Sequence, residues 1–148
     1  MLEWMHDDSV VHDLKTNFLS KTIEDCLSFI ESAQDDKENL HLAIADENDE
    51  YMGTVSLKHI GDDSAEFGIT VRKCAMGKGY APFAMKEIVQ KGFEQYQLQS
   101  IYWCVDPDNK RAVRFYDKNG YKRIEAPLKV QGYTQEEKQR FLWYEVTR

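Results

Sequence analysis

Met76-Gly77-Lys78-Gly79-Tyr80-Ala81 stands where one hydrophobic period gives way to another, and about thirty residues on comes Asn109-x-x-Ala112-x-x-Phe115-Tyr116-x-x-x-Gly120-Tyr121. Upstream of the first stretch, Tyr51 to His59 and Ala65 to Val71 read as two strands around the turn Gly61-Asp62-Asp63-Ser64. Downstream the period is helical. Ala81, Met85, Ile88, Val89 and Phe93 share one face, Lys86, Glu87, Gln90, Lys91 and Glu94 lie opposite, and Pro82 sits where a first turn tolerates it. A glycine pair between a strand and a helix can present consecutive backbone N–H groups to an anion at the helix N-terminus. G-x-G alone is ordinary turn vocabulary; its placement here gives it weight.

Ser100 to Val105 reads as a further strand, and Asp106-Pro107-Asp108-Asn109 caps a shorter helix that stops at Asn119-Gly120. Tyr121 to Ile124 and Phe141 to Val146 read as two last strands, separated by an irregular stretch with Pro127, Gly132 and the charged Gln135 to Arg140 segment. Toward the N-terminus, Leu40, Leu42 and Ile44 alternate with His41 and Ala43 up to the turn-like Asp46-Glu47-Asn48-Asp49. Before that strand, Ile23, Cys26, Leu27 and Ile30 recur at helical spacing behind Ser20 or Thr22 as cap, and Leu2 to Leu14 reads as a short helix or helical pair. The order is helix, helix, three strands, helix, strand, helix, two strands, an α/β layer arrangement. No repeat or linker interrupts it, so residues 1–148 are expected to form a single domain.

Composition narrows the function classes. The chain has 148 residues, 42% apolar, enough to bury a core without disulfides or metals. Its three cysteines, Cys26, Cys74 and Cys104, are far apart, and His6, His12, His41 and His59 form no ligand-spaced pair. A disulfide scaffold and a metal site are therefore not expected. No apolar run is long enough for a membrane span, and Glu3, Asp7 and Asp8 stand where a signal peptide would be basic, which predicts a cytoplasmic protein. The net charge of −7 is uneven: residues 72–123 hold eleven Lys or Arg against five Asp or Glu, a local +6 that leaves −13 elsewhere. A basic middle suits a ligand with several phosphates, and an acidic remainder draws cations and repels nucleic acid. Solvation of two helix faces would produce the same counts.

The order of elements together with the two stretches resembles the GCN5-related N-acetyltransferase (GNAT) superfamily from about Leu2 to the C-terminus. The Trp4-Met5 helix and the Ser-Lys-Thr-capped helix are similar to the branch holding ribosomal-protein N-terminal and aminosugar acetyltransferases. The resemblance implies a mixed, mostly antiparallel central sheet with helices on both faces. It implies acetyl-CoA as donor co-substrate and a primary amine, of a small molecule or a peptide N-terminus, as acceptor by direct attack. Met76, Gly77, Lys78, Gly79, Tyr80 and Ala81 would hold the pyrophosphate, with Lys78, Lys73, Arg72 and Arg111 as candidate partners of the outer phosphates. Ile69, Thr70 and Val71 would lie beside the pantetheine arm and supply the N–H that polarises the thioester carbonyl. Asn109, Ala112, Phe115 and Tyr116 would complete the coenzyme site.

Tyr116, by the same resemblance, is the acid that protonates the departing thiolate, since a phenol of pKa about 10 is still loaded at neutral pH. Glu66 is the candidate base, with Glu145 and Asp106 as weaker ones. Each residue also has a plain structural reading: Asn109 as helix cap, Ala112 and Phe115 as core, Glu66 as a strand carboxylate. Two departures stand out. The family pattern places Gln or Arg where Met76 stands, and family members begin with a strand before the Trp-Met helix. Either that strand is absent, leaving a sheet edge that a second subunit of a homodimer could cover, or the sequence is shortened. A catalytically silent acyl-CoA-binding domain and a nucleotide binder using the glycine turn alone are the competing classes.

Overall fold

A computed structural model describes all residues, Met1–Arg148. The chain opens with two single-turn helices, α1 (Leu2–Met5) and α2 (Asp8–Val11), followed by α3 (Ile23–Gln34). Thr22 caps α3 in a reciprocal box with Asp25, so the second of the two expected caps is the one used. Then come β1 (Leu40–Ala45), β2 (Tyr51–Lys58), β3 (Ser64–Val71), a 3-10 turn at Lys73–Ala75, α4 (Tyr80–Gln95), β4 (Ser100–Val105), α5 (Lys110–Lys118), β5 (Lys122–Ile124), α6 (Gln135–Arg140) and β6 (Leu142–Thr147). The strands form one sheet in the order β1-β2-β3-β4-β6-β5, antiparallel except for β3 with β4. The expected mixed, mostly antiparallel sheet is present, with β1 at one edge.

The two faces of the sheet are separate apolar environments. On one, Val55, Leu57, Ala65, Phe67, Ile101, Trp103, Val105 and Tyr144 pack with Ala84, Met85 and Ile88 of α4 and Tyr116 of α5. On the other, Tyr102 and Trp143 pack with Val130, and α3 lays Phe29 against the His41 ring at 4.8 Å. Alternate residues of one strand thus enter different layers, as the two-residue period of a strand requires. Complete burial of Leu57, Ile88 and Ile101 contributes on the order of 1.5–3 kcal/mol each.

Three details depart from the sequence reading. The buried stripe of α4 is Ala84, Met85, Ile88 and Gly92, and Gly92 is there because a Cβ would meet Ile101 Cδ1 at 2.9 Å and Leu57 Cδ1 at 3.1 Å. The apolar stripe of α3 turns outward: Cys26 is buried, in a small cluster with Trp4, Met5 and Val11, while Leu27 is 55% exposed and Ile23 and Ile30 are exposed as well. The segment read as irregular before the last strand contains α6, started by a Thr134–Glu137 capping box.

Candidate active site

The site begins where two strands part. β3 and β4 pair only through Ser64↔Ser100, Ala65↔Ile101 and Glu66↔Tyr102, yet β3 runs on to Val71 and β4 to Val105. Beyond Glu66 the strands are held only from outside, Ile69, Thr70 and Val71 by β2 and Trp103 to Val105 by β6. A wedge-shaped gap opens between them, lined by backbone groups without a ladder partner. Ile69, Thr70 and Val71 therefore stand on the gap wall. Gly53 of β2 allows the outer pairing there, since a Cβ on it would lie 2.4 Å from Thr70 O.

At the wide end of the gap the chain passes through the 3-10 turn into Met76–Ala81. Gly77 and Gly79 have φ of +74° and +87°, a left-handed backbone that favours glycine, and a Cβ on either would meet nothing within 4 Å. Gly79 is the N-cap of α4 and offers no side-chain cap, and the first turn of α4 carries no acid. Pro82 has no N–H and Phe83 donates to Gly79 O at 3.3 Å, so the N–H groups of Tyr80 and Ala81 are the ones left without a partner at the start of this 16-residue helix, an arrangement suited to an anion.

The cations around this turn divide. Lys73 and Lys78 are exposed. Arg111, from the first turn of α5, has its guanidinium against Met76 Sδ. Arg72 is committed elsewhere: it pairs with Glu3 at 2.8 Å and Glu50 at 2.8 Å and donates to Tyr51 O at 3.0 Å. As a phosphate partner Arg72 is corrected by these bonds, because freeing its side chain would undo one contact that ties α1 to the end of β3 and two that hold it to the start of β2. A guanidinium therefore stands beside Met76, brought by Arg111 from a different helix.

α5 brings the second stretch to the gap. Asn109 Oδ1 accepts from the Ala112 N–H at 3.2 Å, so Asn109 is the helix cap, and Ala112 and Phe115 pack onto the main core. Gly120, at φ +74°, follows the Asn119 C-cap, as expected. Tyr116 is buried beside Trp103, ring centroids 5.2 Å apart, with Tyr121 and Tyr144 around it. Burial, and then the neighbouring Tyr121 and Tyr144, push its phenol well above the ordinary value, so it is protonated at any working pH.

Glu66 lies at the closed apex of the gap on the opposite face. It is 3% exposed. Its Oε1 accepts from Tyr133 OH at 2.6 Å and from Lys58 Nζ at 3.2 Å, and His59 Nε2 stands 3.8 Å from Oε2. Tyr133 OH also receives the Cys104 thiol at 3.4 Å. Burial pushes that thiol up to about 11, so Cys104 is a neutral donor. Lys15, in the loop after α2, sits 4.1 Å over the Tyr133 ring, pairs with Glu137 at 2.9 Å and donates to Gly132 O. Asp106 is taken up by Arg140 at 2.7 Å. The sequence reading missed Tyr133, Lys58 and Lys15; the Gly132-Tyr133 pair after an irregular stretch was the one local signal.

Residues 1–122 match the model of the family described as the acetyltransferase (GNAT) domain. That match spans most of the chain, and the protein belongs to the GNAT family of acetyl-CoA-dependent N-acetyltransferases. Among its relatives, acetyltransferase PseH of Campylobacter jejuni is 25% identical over 122 residues, 82% of this chain and 74% of that protein. Spermidine N(1)-acetyltransferase of Escherichia coli K12 is 34% identical over 67 residues, 45% of this chain and 36% of that protein. A chimera of the spermidine N-acetyltransferase SpeG from Vibrio cholerae superposes with a TM-score of 0.74 at 18% identity, covering 99% of this chain and 89% of that one. PseH in complex with acetyl coenzyme A superposes with a TM-score of 0.63 at 18% identity, covering 84% and 79%. These structural likenesses bear on the fold. No helix is long and apolar enough to cross a membrane.

Proposed function

We propose that residues 1–148 act as one domain that moves the acetyl group of acetyl-CoA onto a primary amine of a small cationic molecule or a peptide N-terminus, by direct attack. The observation that carries this reading is the gap between β3 and β4, with Tyr116 on one side of the sheet and Glu66 on the other. The pantetheine arm lies in the gap along Ile69–Val71, and the pyrophosphate meets the N–H groups of Met76–Ala81. A backbone N–H on the gap wall polarises the thioester carbonyl and stabilises the oxyanion. The amine approaches from the Glu66 face, its nitrogen forms the new C–N bond, and the C–S bond breaks. The proton lost by the amine passes to Glu66, and the Tyr116 hydroxyl protonates the leaving sulfur. Holding amine and thioester together supplies much of the rate, independently of either proton step.

For the acceptor, the acidic balance of −13 outside the basic middle supports a cation. The relative named spermidine N(1)-acetyltransferase points the same way, and the resemblance to ribosomal-protein and aminosugar enzymes keeps peptides and amino sugars in the comparison. The test is thiol release from acetyl-CoA with spermidine, glucosamine and a peptide with a basic N-terminus. Turnover above hydrolysis on at least one amine is expected. Coenzyme binding without turnover on any of them, with no effect of Tyr116→Phe on residual hydrolysis, would instead mark a catalytically silent acyl-CoA-binding domain.

A further inference from the structure

Glu66 has a difficulty as a base: it is 3% exposed, closed over by the loop before α6, and both of its close contacts fall on one oxygen. Little of the carboxylate is open to an incoming amine, and Tyr133 and Lys58 already share its Oε1. Tyr133 can reach further. Its hydroxyl spans the two parting strands, donating to Glu66 of β3 at 2.6 Å and accepting from Cys104 of β4 at 3.4 Å, and its side chain is only partly buried.

We propose that Tyr133 is the relay through which Glu66 takes the proton of the acceptor amine. The proposal rests on the assignment of Glu66 as the base. In the step, an ammonium N–H displaces the weakly donating Cys104 thiol from the Tyr133 oxygen. That oxygen receives the ammonium proton while its own proton moves to Glu66 Oε1. The balance is a neutral amine, a neutral tyrosine and a protonated Glu66; no tyrosinate forms at any point. Once product has left, the reverse transfer through Tyr133 to water resets the carboxylate.

The surroundings fit a relay. Burial, with Cys104 and Glu66 alongside, pushes the Tyr133 phenol far above its ordinary value, so it holds its proton and is no base by itself. The 2.6 Å bond already points that proton at Oε1. Lys58 and His59 face Glu66 from the end of β2, Tyr102 and Cys104 from β4, and Lys15 faces the Tyr133 ring from the loop after α2, with Glu137 behind it. Lys58 sets its ammonium 3.2 Å from the same Oε1. Through Lys15, Tyr133 also joins the loop after α2 to the loop before α6.

The experiment compares Tyr133→Phe, Glu66→Gln and the double variant with spermidine, or with the faster of glucosamine and the peptide if spermidine is not turned over. Phenylalanine keeps the ring against Lys15, Trp143 and Phe141 and removes only the hydroxyl. The expected loss in kcat for Tyr133→Phe is about 10- to 100-fold at pH 7, at or below the lower end of what one proton-transfer group supplies, with the amine KM little changed. Because an amine of pKa about 10 deprotonates unaided in alkali, the deficit should shrink steadily toward pH 10. Glu66→Gln should show the same pH signature, and the double variant should be no slower than the worse single one. Wild-type kcat and pH profile in Tyr133→Phe, with Glu66→Gln impaired, would overturn the relay and leave the base in place. Multiplying losses would overturn it as well. If Glu66→Gln itself matches wild type, the assignment of the base fails and the relay falls with it. Lys15→Met separates loop anchoring from proton transfer: if it reproduces the pH-dependent loss, Tyr133 acts only by holding the loop.

Discussion

Under the proposed function, the two sides of the gap recognise their ligands by different means. On the donor side, recognition is written in backbone: two glycines at positive φ, the uncapped start of α4 and the unpaired edge of β3. On the acceptor side it is written in side chains brought from Lys15, Lys58, Glu66, Cys104 and Tyr133, none adjacent to another in sequence. Backbone donors serve any chain with the right turn, and so the donor side is shared across a family. A side-chain network is specific to its members, and a few substitutions retune it.

Removing the one side chain that the donor side does use for chemistry should have the largest effect. Tyr116→Phe is expected to lower kcat and kcat/KM together by about 100-fold or more, with acetyl-CoA binding unchanged by calorimetry. An equal fall in coenzyme affinity would mean that Tyr116 serves the pocket rather than the proton. Next comes the turn. Gly79→Val forces a β-branched residue to φ +87°, at a cost of at least about 1–2 kcal/mol, which corresponds to a rise in the acetyl-CoA KM of about 10-fold or more. The amine KM should stay put; a shift in both would blur the division between the two sides.

A smaller effect separates the two arginines. Arg111→Ala should raise the acetyl-CoA KM by about 2- to 5-fold, as loss of one exposed charged partner does. Arg72→Ala should leave that KM alone and lower the melting temperature, because Arg72 holds Glu3, Glu50 and Tyr51. The exchange of these outcomes would reverse the assignment.

Acid gives the smallest and broadest test. Glu3 is held below the usual carboxylate range by its bond to Arg72, and Glu137 by the Thr134 N–H and then Lys15. A lowered carboxylate stabilises the fold above its unfolded value, near 4.5 for Glu, and that contribution fades as pH falls through the lower folded value. Stability should therefore be flat from pH 7 to about 5 and fall below about 4, and α1 and α6 should loosen first by hydrogen exchange, since Glu3 lies on one and Glu137 on the other. Earlier loosening of α4 would contradict the comparison.

The sheet and donor side were legible because their signals are local. Gly79 and Gly120 mark positive φ, and the alternation in Tyr51 to His59 and Ala65 to Val71 gives β2 and β3 nearly to the residue. Gly92 reads as a helix defect until the strand side chains above it are known. α6 is polar throughout, so hydrophobic period cannot reveal it, although Thr134 and Glu137 carry a capping-box spacing. Arg72 looked like one more cation near the turn, and only its contacts with Glu3 and Glu50 show otherwise. Glu66 and Tyr133 are 67 residues apart, and no pattern within a helix or strand window connects them.

The small cluster of Trp4, Met5, Val11 and Cys26 has its own apolar interior and meets the rest of the fold through the Tyr51 ring and a few polar bonds: Trp4 Nε1 to Tyr51 OH at 3.0 Å, Glu3 to Arg72, and Lys15 to Glu137 of α6. Cooperativity across such seams is weak compared with that inside a packed core. The N-terminal helices therefore form a unit that can open, or diverge over evolution, without unfolding the sheet around the β3–β4 gap.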